Sequence, residues 1–159
     1  MKKLLILPLL ILLILGVMLD PFPSAPKQEI QAILAQSSKI ELVGLAPEIV
    51  RDENPALFGL RKVTQRRPLS EAEQSQVRAA LQTDMRYRVF NVGKCFNPRH
   101  GLALTSSSGE YRLLLCYECN QMELFSPDGK HANLVPLGGS SAETLNTLLN
   151  QSPPIGTQK

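Results

Sequence analysis

The sequence has few of the residues that most often carry chemistry, with three cysteines and two histidines among 159 residues. No cysteine precedes Cys95, so the chain lacks the lipid-modified cysteine that follows a bacterial lipoprotein signal. That absence excludes a lipoprotein of the usual type. Aromatic residues make up 5% of the chain, and none lies within the basic cluster at residues 61–67. Single-stranded nucleic acid binds to basic surfaces that carry aromatic residues for stacking. We therefore predict a solvated loop at this cluster and no nucleic-acid partner.

Length and composition predict one domain with a modest core, since 43% of the 159 residues are apolar and no internal repeat is present. The formal net charge is +3, and Lys2 and Lys3 contribute two of these charges. The rest of the chain is therefore nearly neutral.

The first 19 residues have the pattern of an export signal, because Lys2 and Lys3 precede an apolar run at residues 4–19. Cleavage is disfavoured, since the best small residue for a signal peptidase, Ala25, is followed by proline. We favour an uncleaved membrane anchor, although the run is short for a span of about 20 residues. A cleaved signal peptide is the alternative. The position of the lysines predicts that residues 20–159 lie outside the cytoplasm.

The pattern of apolar residues predicts an α+β fold, in which two or three helices pack on one face of a small antiparallel sheet. Residues 20–26 contain three prolines and are predicted to form a spacer, residues 27–150 the domain, and residues 151–159 a disordered tail. Helices are predicted at residues 29–36, 71–84 and 142–149, and a capping box of Ser70 and Glu73 begins the second of them. Strands are predicted at residues 39–45, 57–64, 87–92, 102–105, 111–117, 122–126 and 131–137.

Cys95, His100, Cys116 and Cys119 form the one distinctive chemical pattern. Three thiolates and one imidazole fill a tetrahedral zinc shell, and the Cys-x2-Cys spacing is common among zinc ligands. A closed shell leaves no position for water or substrate. The pattern therefore predicts a structural zinc ion and no catalytic residue. A catalytic metal would require one of these ligands to be replaced, with Glu118 as the nearest base.

Strand pairing supports this cluster. If the strands at residues 102–105 and 111–115 form a hairpin, paired residue numbers sum to about 215 or 216, which brings His100 level with Cys116. A break at residues 117–118 would turn Cys119 to the same side as Cys116.

Two alternatives stay open for the cysteines. Outside the cytoplasm Cys116 and Cys119 could form a disulfide or a redox pair, with Cys95 left over, or all three could be inert. A thioredoxin-like site needs a thiolate at a helix N-terminus, whereas the alternation after Cys119 predicts a strand. Covalent haem would need histidine in place of Asn120. Arg99 could contact an anion, although a solvated side chain is favoured.

The segments at residues 95–101 (CFNPRHG) and 113–119 (LLLCYEC) resemble an uncharacterised family of small bacterial exported proteins. Members pair a CF-x-PRHG segment with a C-F/Y-E-C segment. The resemblance implies a bacterial origin and a site preformed by Pro98 and Gly101 around His100. It implies no activity.

These observations predict a non-enzymatic domain with a structural zinc ion, anchored by residues 4–19 to the inner membrane of a bacterial envelope. Its protein partner is not specified by the sequence. If the signal is cleaved, the domain is periplasmic or secreted. The alternatives are a thiol-disulfide redox protein that uses Cys116 and Cys119, and an exported binding module with a disulfide-stabilised fold.

Overall fold

The structure is a computed structural model that describes residues 24–50, 57–86, 89, 91–130 and 134–151. The predicted export segment at residues 1–19 lies outside these ranges, as does most of the predicted tail. Within the described residues, no helix has the length and apolar character needed to cross a membrane.

In the part of the chain that the structure describes, six strands and three helices form the predicted α+β fold. The strands are β1 (Lys39–Ile49), β2 (Arg61–Pro68), β3 (His100–Ser106), β4 (Gly109–Cys116), β5 (Gln121–Phe125) and β6 (Val135–Pro136). The helices are α1 (Ala25–Gln36), α2 (Glu71–Arg86) and α3 (Ala142–Asn150). All strand pairs are antiparallel, in the spatial order β2-β1-β3-β4-β5-β6.

The main core lies between the helices and one face of the sheet. Side chains on a strand alternate between faces, so Leu102 and Leu104 of β3 pack with the helices while Ala103 faces the other way. Each helix adds buried leucine, isoleucine, valine or methionine side chains to the main core. Burying one such side chain stabilises the fold by roughly 1.5–3 kcal/mol. A smaller cluster around Val43 and Leu114 covers part of the opposite face.

Helix α2 begins as the sequence predicts. The Ser70 backbone N–H donates to the Glu73 carboxylate at 2.8 Å, and the Glu73 N–H donates to Ser70 Oγ at 3.4 Å. These reciprocal bonds satisfy two backbone donors and confirm the capping box. They also hold the pKa of Glu73 below its ordinary value, with the bond from the Ser70 backbone as the largest cause.

Several predicted boundaries differ from the structure. Helix α1 begins at Ala25, so the last two residues of the predicted spacer are helical, with proline in the first turn where it costs no hydrogen bond. Of the strand predicted at residues 87–92, the described residues 89, 91 and 92 are irregular. The strand predicted at residues 131–137 is reduced to Val135–Pro136 among the described residues.

The basic cluster is not a solvated loop, because its residues lie on strand β2. Arg61 is buried and donates to the carbonyls of Pro47 and Phe96 and to Asn97 Oδ1. Its burial lowers its pKa, and the nearby charge of Arg99 lowers it further. Arg61 therefore fastens the segment that precedes β3 to the end of β1. The other arginines of β2 form ion pairs, Arg66 with Glu41 at 3.3 Å and Arg67 with Glu73 at 2.5 Å.

Gly101 is needed for packing within a strand, whereas the resemblance implied that Pro98 and Gly101 preform the site around His100. It lies within β3, paired with Val43 and Leu114. A Cβ atom there would lie 2.6 Å from the Phe58 ring. We expect Gly101→Ala to lower the free energy of unfolding by about 1–3 kcal/mol through overpacking. Urea denaturation measures this, and adding Phe58→Leu should restore part of the loss. An unchanged midpoint for Gly101→Ala would contradict the packing.

Candidate functional site

The two cysteines nearest each other in sequence form a buried disulfide. Strand β4 ends at Cys116, and residues 117–120 form a turn into β5. The turn confirms the predicted break and brings the Cα atoms of Cys116 and Cys119 to 5.3 Å, where their sulfurs are bonded. Each cysteine is 1% exposed. The disulfide thus closes the β4–β5 hairpin from inside the fold.

His100 does not lie opposite Cys116. The hairpin pairs His100 with Leu115, so the numbers of paired residues sum to 215. This is one of the two registers that the sequence predicts. A shift of one residue moves a side chain to the other face of a sheet. His100 therefore lies on the helix side of the sheet, in contact with Tyr117 and Asn146. Cys116 lies two residues after Leu114 on the same strand, so it faces the opposite side of the sheet, where Leu114 packs.

Cys95 is a free, exposed thiol in a segment that runs along the disulfide turn. The Gly93 backbone N–H donates to the Cys119 carbonyl at 2.8 Å, and the Asn97 N–H donates to Cys119 Sγ at 3.4 Å. These two bonds bracket Cys95. The segment that contains Cys95 therefore lies beside Cys119, as a metal site shared by these cysteines would require.

The four predicted zinc ligands do not form a zinc shell in this arrangement. Zinc binds cysteine as the thiolate, whereas the sulfurs of Cys116 and Cys119 are bonded to each other. Within the described ranges, no group of three His, Cys, Asp or Glu side chains is placed to hold a metal ion. The disulfide and the zinc shell are therefore mutually exclusive states of the same cysteines. A zinc site in the reduced chain stays a prediction.

A buried carboxylate fixes the start of α3 beside this turn. Asp84, on α2, is 2% exposed. Its two oxygens accept the backbone N–H and hydroxyl groups of both Ser140 and Ser141. Because the Ser141 hydroxyl donates to Asp84, it must accept from the Tyr117 hydroxyl at 2.6 Å. Burial raises the pKa of Tyr117, so its hydroxyl stays protonated at neutral pH. The network joins α2 and α3 to the disulfide turn.

His100 has one satisfied and one unsatisfied ring nitrogen. Its Nε2–H donates to Asn146 Oδ1 of α3 at 2.8 Å, which leaves Nδ1 as the unprotonated nitrogen of a neutral ring. Nδ1 is buried and has no hydrogen-bond partner in the described part of the chain. Burial lowers the pKa of His100, although the bond to Asn146 opposes the shift. The ring is therefore neutral at pH 7.

This shift predicts a pH dependence of stability. The unfolded chain takes up a proton near pH 6.5, while the folded chain does so only at lower pH. The unfolded state thus binds more protons in this window, so stability falls as pH drops below about 6.5. We expect the urea midpoint to fall between pH 7.5 and 5.5, and to fall less in His100→Gln.

His131→Gln is the matched control, because His131 is the second histidine of the chain. A larger loss of pH dependence in His131→Gln than in His100→Gln would assign the effect to His131 instead. An identical pH dependence in the unmodified chain and His100→Gln would contradict the assignment to His100.

A cleft of about 270 Å³ opens above these groups, between the disulfide turn and α3. It is lined by Asn97, Arg99, His100, Tyr117, Glu118, Ala142 and Asn146. Ligand pockets of drug-sized molecules measure roughly 300–1,000 Å³. The cleft is thus large enough for a small polar molecule.

No family model, curated protein or solved structure matches this chain. The resemblance carried by residues 95–101 and 113–119 therefore stays a prediction. Its segments nevertheless meet in space, since His100 and Tyr117 are in edge-to-face contact with ring centroids 5.4 Å apart.

Sequence reasoning missed two groups that shape this region. Asp84 lies three residues after Leu81 and seven after Val77, among the residues that α2 buries. An acidic residue in an apolar stripe was the available signal. Asn146 carries no such signal, because a polar residue on the exposed face of a helix is the ordinary case. Its role follows from its distance to His100 alone.

Proposed function

We propose that this chain is an exported, non-enzymatic binding module whose fold is stabilised by the Cys116–Cys119 disulfide. The observation that carries the proposal is the burial of both sulfurs in the turn between β4 and β5. Disulfides persist in oxidising compartments such as the bacterial periplasm. The proposal therefore agrees with an export segment at residues 1–19, either retained as an anchor or removed.

A redox enzyme is less well supported by the same disulfide. A catalytic thiol needs access to its substrate and an environment that stabilises the thiolate, such as a helix N-terminus. Cys116 and Cys119 are each 1% exposed, and strand β5 follows the turn instead of a helix. Attack by an external thiolate would require the turn to open. This favours a stabilising role.

Zinc binding is a second candidate, favoured by the position of Cys95. Backbone bonds on both sides of Cys95 reach Cys119. In a reduced chain, three thiolates could thus approach one ion, while His100 would have to leave Asn146 and cross to the other side of the sheet. Zinc would contribute folding energy there and close the same turn.

The proposed role is tested by measuring the reduction potential of the disulfide in the folded protein. A stabilising disulfide is expected below about −300 mV, beyond reduction by a glutathione pool. Cys95→Ser serves as the background, because it prevents exchange with the third thiol. A value near −120 to −180 mV, typical of oxidising and isomerising enzymes, would contradict the proposal and support the redox alternative.

A further inference from the structure

The cleft beside the disulfide turn contains both a cation and an anion without partners in the described chain. Arg99 and Glu118 are exposed and line it from two directions, Arg99 directly before β3 and Glu118 within the β4–β5 turn. Neither side chain forms a hydrogen bond or ion pair with another described residue. Most other charged side chains near the sheet are paired, such as Arg66 with Glu41 and Arg112 with Glu110.

The two polar rings that line the cleft already have hydrogen-bond partners. The His100 Nε2–H donates to Asn146 Oδ1, and the Tyr117 hydroxyl donates to Ser141 Oγ. Asn97, Asn146 and Ala142 carry no charge. The lining therefore has one positive and one negative charge, and the buried Arg61 lies behind it as a second cation near Arg99 and Asn97. A dianion or a simple amine would meet repulsion from one of the two.

Three backbone N–H groups at the start of α3 are already hydrogen-bonded. Those of Ser140 and Ser141 donate to Asp84, and that of Ala142 donates to the Gly139 carbonyl. A ligand carboxylate would thus be bound by Arg99, whose guanidinium offers two parallel N–H donors. Asn97 and Asn146 line the same cleft and add amide N–H donors, since their Oδ1 atoms already accept from Arg61 and His100.

We propose that this cleft binds a small zwitterion of the size of a free amino acid, with its carboxylate on Arg99 and its ammonium group on Glu118. The volume of about 270 Å³ agrees with such a ligand. Tyr117 and Glu118 lie between the two cysteines in sequence, and both line the cleft. The disulfide turn therefore positions Glu118. This inference rests on the proposed binding function and adds the class of ligand.

The test is isothermal titration calorimetry of the full chain with single free amino acids at up to 10 mM. We expect at least one of them to bind. N-acetylated and O-methylated forms of that amino acid, which each lack one charge, should bind about tenfold or more weakly, because each loses one charged hydrogen-bond pair. Arg99→Gln and Glu118→Gln should weaken the amino acid to a similar degree.

Arg86→Gln is the matched control, since Arg86 is exposed at the end of α2, and it should bind as the unmodified chain does. Absence of binding by all amino acids would overturn the inference, as would equal binding of the single-charge analogues. A disulfide count on the same sample separates the two proposals. An intact disulfide without binding leaves the stabilising role standing, whereas missing disulfide contradicts the proposed function itself.

Discussion

The double variant Cys116→Ala/Cys119→Ala is expected to lose about 2 kcal/mol of unfolding free energy. The disulfide closes a loop of four residues, and the loop-entropy relation assigns about 2 kcal/mol to a loop of that length. Both side chains are buried, so each alanine also leaves a small cavity. For a domain of this size, the melting temperature should fall by roughly 5–10 °C. Differential scanning calorimetry of the oxidised protein measures the shift.

Cys95→Ala is the matched control for this result. Cys95 is free and exposed, so its replacement should change stability by no more than about 0.5 kcal/mol. If Cys95→Ala destabilised the protein as much as the double variant, all three cysteines would share one stabilising role. That outcome would contradict a disulfide and support the zinc shell.

Asp84→Ala is expected to cost more, about 3 kcal/mol. The substitution removes the acceptor of two backbone N–H groups and two hydroxyls at the start of α3. Leaving a buried donor unsatisfied costs about 1–3 kcal/mol, and the substitution leaves more than one donor without its acceptor. Because Ser141 also accepts from Tyr117, the loss should extend to the disulfide turn. Chemical denaturation gives the global cost, and amide exchange shows which segment opens.

The control for Asp84 is Glu143→Gln, in the first turn of the same helix. Glu143 is exposed, so its carboxylate stabilises α3 only through the helix dipole, by about 0.3–1 kcal/mol. Equal losses for the two variants would mean that Asp84 acts through its charge alone. The hydrogen-bond network would then not be what stabilises α3.

The elements that the sequence predicts well are those with local signals. The capping box of Ser70 and Glu73 predicts the start of α2, and the apolar spacing in residues 142–149 predicts α3. The short turn between residues 106 and 109 limits the β3–β4 hairpin to two registers. In each case the deciding interaction joins residues close in sequence, so the pattern contains the information.

The features that the sequence predicts poorly depend on contacts between distant segments. Strand β1 pairs with β3 across about sixty residues, and Arg61 is buried against the carbonyls of Pro47 and Phe96. A cluster of basic residues has the same composition whether it lies on an exposed loop or on a strand. The segments that pack against it decide which of these two structures it adopts.

The candidate site shows the same division. The proximity of Cys116 and Cys119 follows from their spacing and a break in the strand, both local. The position of Cys116 relative to His100 depends on a choice between two adjacent registers, and that choice decides whether the imidazole and the Cys116 sulfur share a face of the sheet. The spacing of four ligands therefore could not distinguish a zinc shell from a disulfide with a separate histidine.

The most direct test of the central claim is a count of free thiols in the denatured full chain, purified without reductant from an oxidising compartment, alongside its zinc content. A stabilising Cys116–Cys119 disulfide predicts one free thiol, on Cys95, and no stoichiometric zinc. Three free thiols with about one zinc ion per chain would contradict the disulfide and establish the metal-stabilised alternative.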